Sequence, residues 1–308
     1  MKNSKHKLDN QESKFFNKSS ILIRSKLDKE LLDILLLDRT RSDSHSNYNI
    51  IWANDNYISE DFDSCMPYSQ IYRTSVTGKY NKLVQPRALK SKKAQKERTR
   101  NNAEVFTPLW IIKNQNDSID KNYCNDDLIT YIKRKWLEIT CGEAPYIVTR
   151  YDMFDGKIIP LKKREGFLDR KLRRINKEID SKKEWESLAT QAYKASYGFE
   201  WNGDSLFLAR ENLLYTFADY YYAKWKVDPS KKELKQIAEI ISYNIFQMDG
   251  LNCSIPLTEQ KERPAWEQMG MFPDRLSYIT TQHDKGIKVK IMNWDTEKME
   301  FFENGSNR

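Results

Sequence analysis

With 308 residues, 39% of them apolar and 31% charged, the chain can bury one large core or two small ones under a wet surface. Its longest apolar runs, such as Leu35-Leu36-Leu37, fall far short of a membrane span, and the opening MKNSKHKLDNQESK lacks the apolar stretch of a secretory signal. The net charge of +8 suits an anionic partner, nucleic acid being the commonest, although a lysine-rich surface that only confers solubility carries the same charge.

Cys65, Cys124, Cys141 and Cys253 are scattered, with no C-x-x-C pair, and so are His6, His45 and His283. This usage predicts a cytoplasmic setting with reduced thiols and no metal site. Residues 1–20 are polar and lysine-rich and read as a disordered tail. In "IRSKLDKELLDILLL" (23–37), Leu27, Leu31, Ile34 and Leu35 recur at helical spacing. Residues 40–70 read as Ser-, Asn- and Asp-rich loops around a short apolar strand, Ile50-Ile51-Trp52.

The run "QPRALKSKKAQKERTRNN" holds Arg87, Lys90, Lys92, Lys93, Lys96, Arg98 and Arg100. These cations span about four helical turns, so they can follow a phosphate backbone or simply form a solvated face. A second cluster, Lys162, Lys163, Arg164, Arg170, Lys171, Arg173 and Arg174, lies in "LKKREGFLDRKLRR". Duplex DNA is the partner these two clusters suggest. Residues 21–100 are thus assigned to a helical and basic N-terminal segment.

The second half alternates more regularly. Residues 126–136 look helical and lead into "EITCG"; Asp155-Gly156 has the composition of a two-residue hairpin turn. Residues 166–179 and 182–196 read as helices, followed by the short apolar run "YGFEW". Asp204 can cap the helix "SLFLARENLLYTFADYYYAKW", whose Leu206, Leu213, Phe217 and Tyr221 share one stripe. Ser230 and Glu233 fit a capping box for "KKELKQIAEIISYNIF", which runs into "QMDGL". "KVKIMNW" and "KMEFF" flank "DTEK" as a β-hairpin. Strands that end in polar signatures and alternate with helices predict an α/β domain with ligand loops at the carboxyl ends of its strands.

Four signatures stand in order: "AEVFTPLW" (103–110), "LEITCGEAPY" (137–146), "YGFEWNGDSLFLAREN" (197–212) and "FQMDGL" (246–251). Their order and spacing resemble the cofactor half of the adenine-specific amino-methyltransferases of DNA restriction–modification systems, above all the shorter phage and prophage proteins labelled restriction endonuclease subunit M. The resemblance covers residues 103–251, about half the chain, and residues 1–80 resemble nothing known to us. It implies a Rossmann-like class I methyltransferase sheet over 101–308 with a helical N-terminal extension, S-adenosylmethionine as cofactor, and a restriction or specificity subunit as a partner beside DNA.

In that family a Phe-Thr-Pro segment packs on the methionine end of the cofactor, which would place Phe106, Thr107 and Pro108 there. Thr107 and Pro108 could equally be ordinary helix-start residues. Gly142 would let the backbone approach the ligand, while Glu138 would accept hydrogen bonds from its ammonium group. Cys141 would be a small filler, since no histidine lies near it in sequence to act as a base. Glu200 would hold the ribose hydroxyls, Trp201 would flank the adenine and Asp249 would accept from the adenine amine. Capping a helix and closing an Asp-Gly turn are the plainer roles for Glu200 and Asp249.

Three departures from the family pattern bear on activity. Ala144 stands where a second glycine is usual, and a hairpin is expected at 150–161 where the family begins a helix. No Asn/Asp-Pro-Pro-Tyr/Phe tetrad occurs; Asn293-Trp294 offers an amide and an aromatic without the prolines. The catalytic residues are therefore unassigned. A working methyltransferase and a silent protein on the same fold both remain open, with a nuclease a distant third.

Overall fold

The structure, a computed structural model, describes Arg24 and residues 27–58, 65–102, 107–259 and 286–302, so the 1–20 tail and Phe106 lie outside the described residues. Helix α1 (Lys29–Leu36) starts where the Asp28 carboxylate accepts the Glu30 amide, and it buries Leu31, Leu32, Ile34, Leu35 and Leu36. After it come a short α2 (Arg73–Val76), the basic α3 (Lys92–Asn102), α4 (Leu109–Asp120) and α5 (Leu128–Lys133). Pro108 is itself the cap of α4, one residue ahead of the first turn.

Strand β1 (Trp136–Glu138) follows, then α6 (Phe167–Glu178), α7 (Lys182–Lys194), β2 (Ser196–Glu200), α8 (Gly203–Trp225), α9 (Lys231–Asn244) and β3 (Ile245–Gln247). The three strands form a parallel sheet in the order β1-β2-β3, with Leu137 opposite Tyr197 and Phe199 opposite Phe246. The fold is therefore mixed α/β, with a small sheet and nine α-helices among the described residues. Parallel neighbours need crossovers, and each is supplied by a helix pair: α6 and α7, then α8 and α9.

Helix α8 is the axis of the core. It packs against α1, α6, α9, β2 and β3. The expected stripe of Leu206, Leu213, Phe217 and Tyr221 is buried, but so is every other residue from Gly203 to Tyr222. A helix covered on all sides must satisfy its own charges internally. Arg210 does so by donating to the carbonyls of Leu35, Leu37, Ser242 and Ile245. Glu211 pairs with Arg24 at 2.6 Å, and Asp219 receives Arg164 at 2.7 Å and Arg150 at 3.4 Å.

Asp204 does not cap α8. Asn202 holds the cap position, and Asp204 points instead into a buried cluster with Arg98, Tyr57 and Asn54. Gly203 is required by close approach: a Cβ there would stand 1.9 Å from the Ile51 carbonyl oxygen. The 50–52 run makes only an isolated bridge at Ile51–Gln70 instead of a strand. Both backbone groups of Ile51 are instead met by the Gln247 side chain, at 2.9 and 2.8 Å. One apolar cluster accordingly spans Leu27 to Ile245, crossing residue 100 without a break.

The Ser230–Glu233 capping box on α9 is present. Strands β4 (Lys290–Asn293) and β5 (Lys298–Phe301) form the expected antiparallel hairpin, packed on a smaller cluster of Phe199, Phe246, Met248, Ile255 and Val289. The turn at Asp155-Gly156 is supported by a single bridge, Tyr151–Ile158, with Gly156 at φ +72°.

Candidate functional site

A cleft of about 940 Å³ opens at the carboxyl ends of β1 and β2. Thr107, Glu138, Cys141, Gly142, Glu200 and Trp201 line it, so six of the nine expected cofactor residues meet in one place. The loop after β1 has an unusual backbone: Thr140, Gly142 and Ala144 all have positive φ, at 47°, 54° and 62°. Left-handed conformation costs a non-glycine residue about 1–2 kcal/mol. The loop is held in that shape by bonds from the Cys141 amide to the Phe199 carbonyl and from the Ala144 amide to the Cys141 carbonyl, each 2.7 Å. Ala144 thus keeps a glycine-like backbone at the position where the methyltransferase pattern has its second glycine.

Glu200, ending β2, ties this loop to the next strand. Its Oε2 accepts the Gly142 amide at 2.9 Å, and its Oε1 accepts the amide and side chain of Asn202, each at 3.0 Å. Burial pushes its carboxyl upward despite these bonds, and the Asp204 charge adds to the rise. Glu138 accepts the amides of Tyr146 and Ile147 at 3.2 and 3.0 Å. With no cation to oppose the burial, its pKa is pushed up to about 8. Cys141 is buried between these acids and its thiol is raised well above its usual value, which agrees with a filler and opposes a nucleophile. Trp201 donates its indole N–H to the Ala53 carbonyl at 2.7 Å, which fixes the ring at the cleft edge.

Three expected cofactor residues stand apart. Phe106 lies outside the described residues. Pro108 faces a neighbouring groove. Asp249 closes its own turn, its carboxylate accepting from the Leu251 amide at 2.9 Å and the Asn252 side chain at 2.8 Å, and it does not line the cleft. This is the Asp-Gly turn role, and it arises because a short carboxylate reaches its own backbone two residues on.

The expected DNA-binding cations divide sharply. Lys92, Lys93, Lys96 and Arg100 are exposed on α3. The remaining four turn inward, which corrects their reading as phosphate contacts. Arg98 is buried, 2.6 Å from Asp204. Arg170 is spent on Asp117, Asp120 and Glu165 at 2.6 to 3.1 Å. Lys171 is buried, donates to the Arg134 carbonyl at 2.7 Å, and is pushed down to about 7 by desolvation. Arg173 is half-buried and donates to the Arg164 carbonyl. Lys90 and Arg164 are likewise buried against Asp204 and Asp219. A basic run in sequence cannot distinguish a solvated face from cations recruited by buried acids far along the chain.

Several lining residues gave no signal in sequence. Ala53, Asn54 and Asp55 come from a segment without any recognisable pattern, and Arg87 reaches the cleft from the basic run, its amide donating to Glu143 at 2.7 Å. Other lining residues, among them Asn202, Glu143 and Tyr146, fall within the quoted signatures. Asn293 bonds Glu300 across the hairpin and Trp294 donates to Asn244, so neither belongs to the cleft. Among the described residues, no group of three or more His, Cys, Asp or Glu side chains could hold a metal ion, and no helix is long and apolar enough to cross a membrane. The chain matches no protein-family model, no curated protein and no solved structure.

Proposed function

We propose that the cleft binds S-adenosylmethionine on a Rossmann-like sheet, and that the protein serves adenine methylation of DNA in a restriction–modification setting. One observation carries the reading: the Gly142 amide lies 2.9 Å from the carboxylate of Glu200, 58 residues away. The signature loop of one strand and the acid ending the next therefore meet at the carboxyl edge of a parallel sheet, where such folds place ligands.

The residues present fit the cofactor. Each Glu138 oxygen has one bond from the loop and keeps acceptor capacity for an ammonium group, and Glu200 Oε2 keeps capacity for a ribose hydroxyl. Release of the Asn202 side chain would free Oε1 for a second hydroxyl. Trp201, held by Ala53, offers a ring face at the rim. When bound, S-adenosylmethionine supplies an activated methyl group; the chain's contribution is to orient it and to exclude water. DNA would be met by Lys92, Lys93, Lys96 and Arg100 on α3, which Arg98 anchors to Asp204 next to the cleft-lining Ser205 and Asn54.

A second reading, a cofactor-holding protein without transferase activity, is favoured by the absent tetrad and by the positions of Asn293, Trp294 and Asp249 outside the cleft. Calorimetry with S-adenosylmethionine tests what the two readings share. Wild-type protein should bind, and Glu200→Ala should weaken binding about 10- to 100-fold, the worth of a hydrogen bond to a charged group. No heat from wild type at millimolar ligand would end the cofactor reading. Transfer of labelled methyl to adenine in unmethylated DNA separates enzyme from silent relative.

A further inference from the structure

A second groove, of about 620 Å³, adjoins the cleft. Consecutive residues divide between the two: Thr107 lines the cleft and Pro108 the groove, Met153 lines the cleft and Phe154 the groove. Two large aromatic side chains in this groove face solvent, Trp110 at 65% and Phe154 at 78% exposure. Each costs solvation free energy where it stands, and each is set there by local structure. Pro108 caps α4 and places Trp110 in its first turn. Asp152 accepts the Phe154 amide at 2.7 Å, forming the turn that carries the phenyl ring outward.

The charged part of the lining is three lysines and two acids. Lys113 comes from α4, and Lys162 and Lys163 from the 3₁₀ turn Leu161–Lys163 behind Pro160. Of the two acids in the groove, Glu165 is neutralised by Arg170 at 3.1 Å, while Asp152 holds its own turn through backbone amides and keeps its charge. Lys113 is paired with Asp117 at 2.6 Å, so an incoming anion meets the exposed Lys162 and Lys163. Unpaired bases stack on exposed aromatic faces while phosphates meet neighbouring lysines; a duplex hides its base faces and could use only the lysines.

We propose that this groove binds a segment of single-stranded nucleic acid, with bases stacked on Trp110 and Phe154 and phosphates met by Lys162 and Lys163. The site does not depend on the cofactor reading of the cleft.

The test is fluorescence anisotropy of an end-labelled single-stranded oligodeoxynucleotide of about twelve nucleotides, a length within the usual site sizes, with the full chain. Wild-type protein binds it. Trp110→Ala and Phe154→Ala each weaken binding roughly ten-fold. Lys162→Gln with Lys163→Gln lowers the slope of log affinity against log salt by about 1.4. An abasic oligonucleotide of equal length binds more weakly than the natural one. No binding by wild type, equal affinity for the abasic strand, or aromatic variants that bind like wild type would each overturn the proposal. Equal affinity for a duplex that is untouched by Trp110→Ala would do so as well. Both aromatics are exposed, so the variants should keep the wild-type circular dichroism and the wild-type calorimetric response to S-adenosylmethionine. A failure of the stacking site and a failure of the cofactor site are thereby told apart.

Discussion

Asp204 and Glu138 are both buried acids beside the same cleft, and their environments drive them in opposite directions. Burial alone would raise both. At Asp204 the charges of Arg98 and Lys90 and the Tyr57 hydroxyl outweigh it, holding the carboxyl well below its ordinary range. Glu138 receives only two backbone amides, burial prevails, and Glu200 nearby adds repulsion. The chain thus brings cations to the acid that anchors α3 onto α8, while burial dominates at Glu138 and Glu200. A cationic ligand would complete them, as Arg98 completes Asp204.

Asp204→Asn gives the sharpest break of this comparison. It removes the buried acid that pairs with Arg98 and Lys90 and should cost about 3–5 kcal/mol in urea unfolding. A cost below about 1 kcal/mol would show that the pair does not hold the fold.

Next in size come the opposed pH effects. The Asp204 pKa is depressed on folding, so its stabilisation is present above the ordinary aspartate pKa and is lost as pH falls through the folded value. Glu138 has a raised pKa, so its contribution is fully present below about 4.5 and is lost as pH rises through about 8. Glu138→Gln should therefore flatten the decline in stability between these limits, measured by unfolding at a series of pH values. The same proton opposes a cationic ligand. Affinity for S-adenosylmethionine should rise with pH up to about 8, by at most ten-fold per pH unit, with proton release visible as buffer-dependent heat. Glu138→Gln should abolish that rise.

Lys171 extends the comparison to a cation without an acid. Its pKa is depressed to about 7, so its stability contribution is present above the ordinary lysine value and is lost as pH falls through about 7. Lys171→Met should flatten the climb in stability on the alkaline side. The smallest effects belong to the exposed lysines. Lys92→Ala and Lys96→Ala should each change stability by less than about 0.5 kcal/mol, while each lowers the salt slope of duplex binding by about 0.9.

Several features with short-range causes form as the sequence dictates. The Ser230–Glu233 capping box, the β4–β5 hairpin, the two helices of residues 167–194 and the strand ending at Glu200 all form. These features depend on neighbours within a few residues. Sequence and structure differ most where the decisive partner is remote. Asp204 gave up capping for Arg98, 106 residues away, and Arg170 turned inward toward Asp117, 53 residues away. Asp249 failed in the other direction, because its own turn satisfied it.

By itself the sequence determined the alternation of helices and strands and the polar ends of the strands. Periodicity, caps and turn chemistry are short-range, so they survive without coordinates. Only the tertiary structure decided which charges face water, which segment walls the cleft, and that Trp110 and Phe154 share a basic groove. Burial and ion pairing depend on what the folded chain brings alongside. A lysine beside a remote carbonyl, such as Lys171, has the same one-letter code as one in solvent.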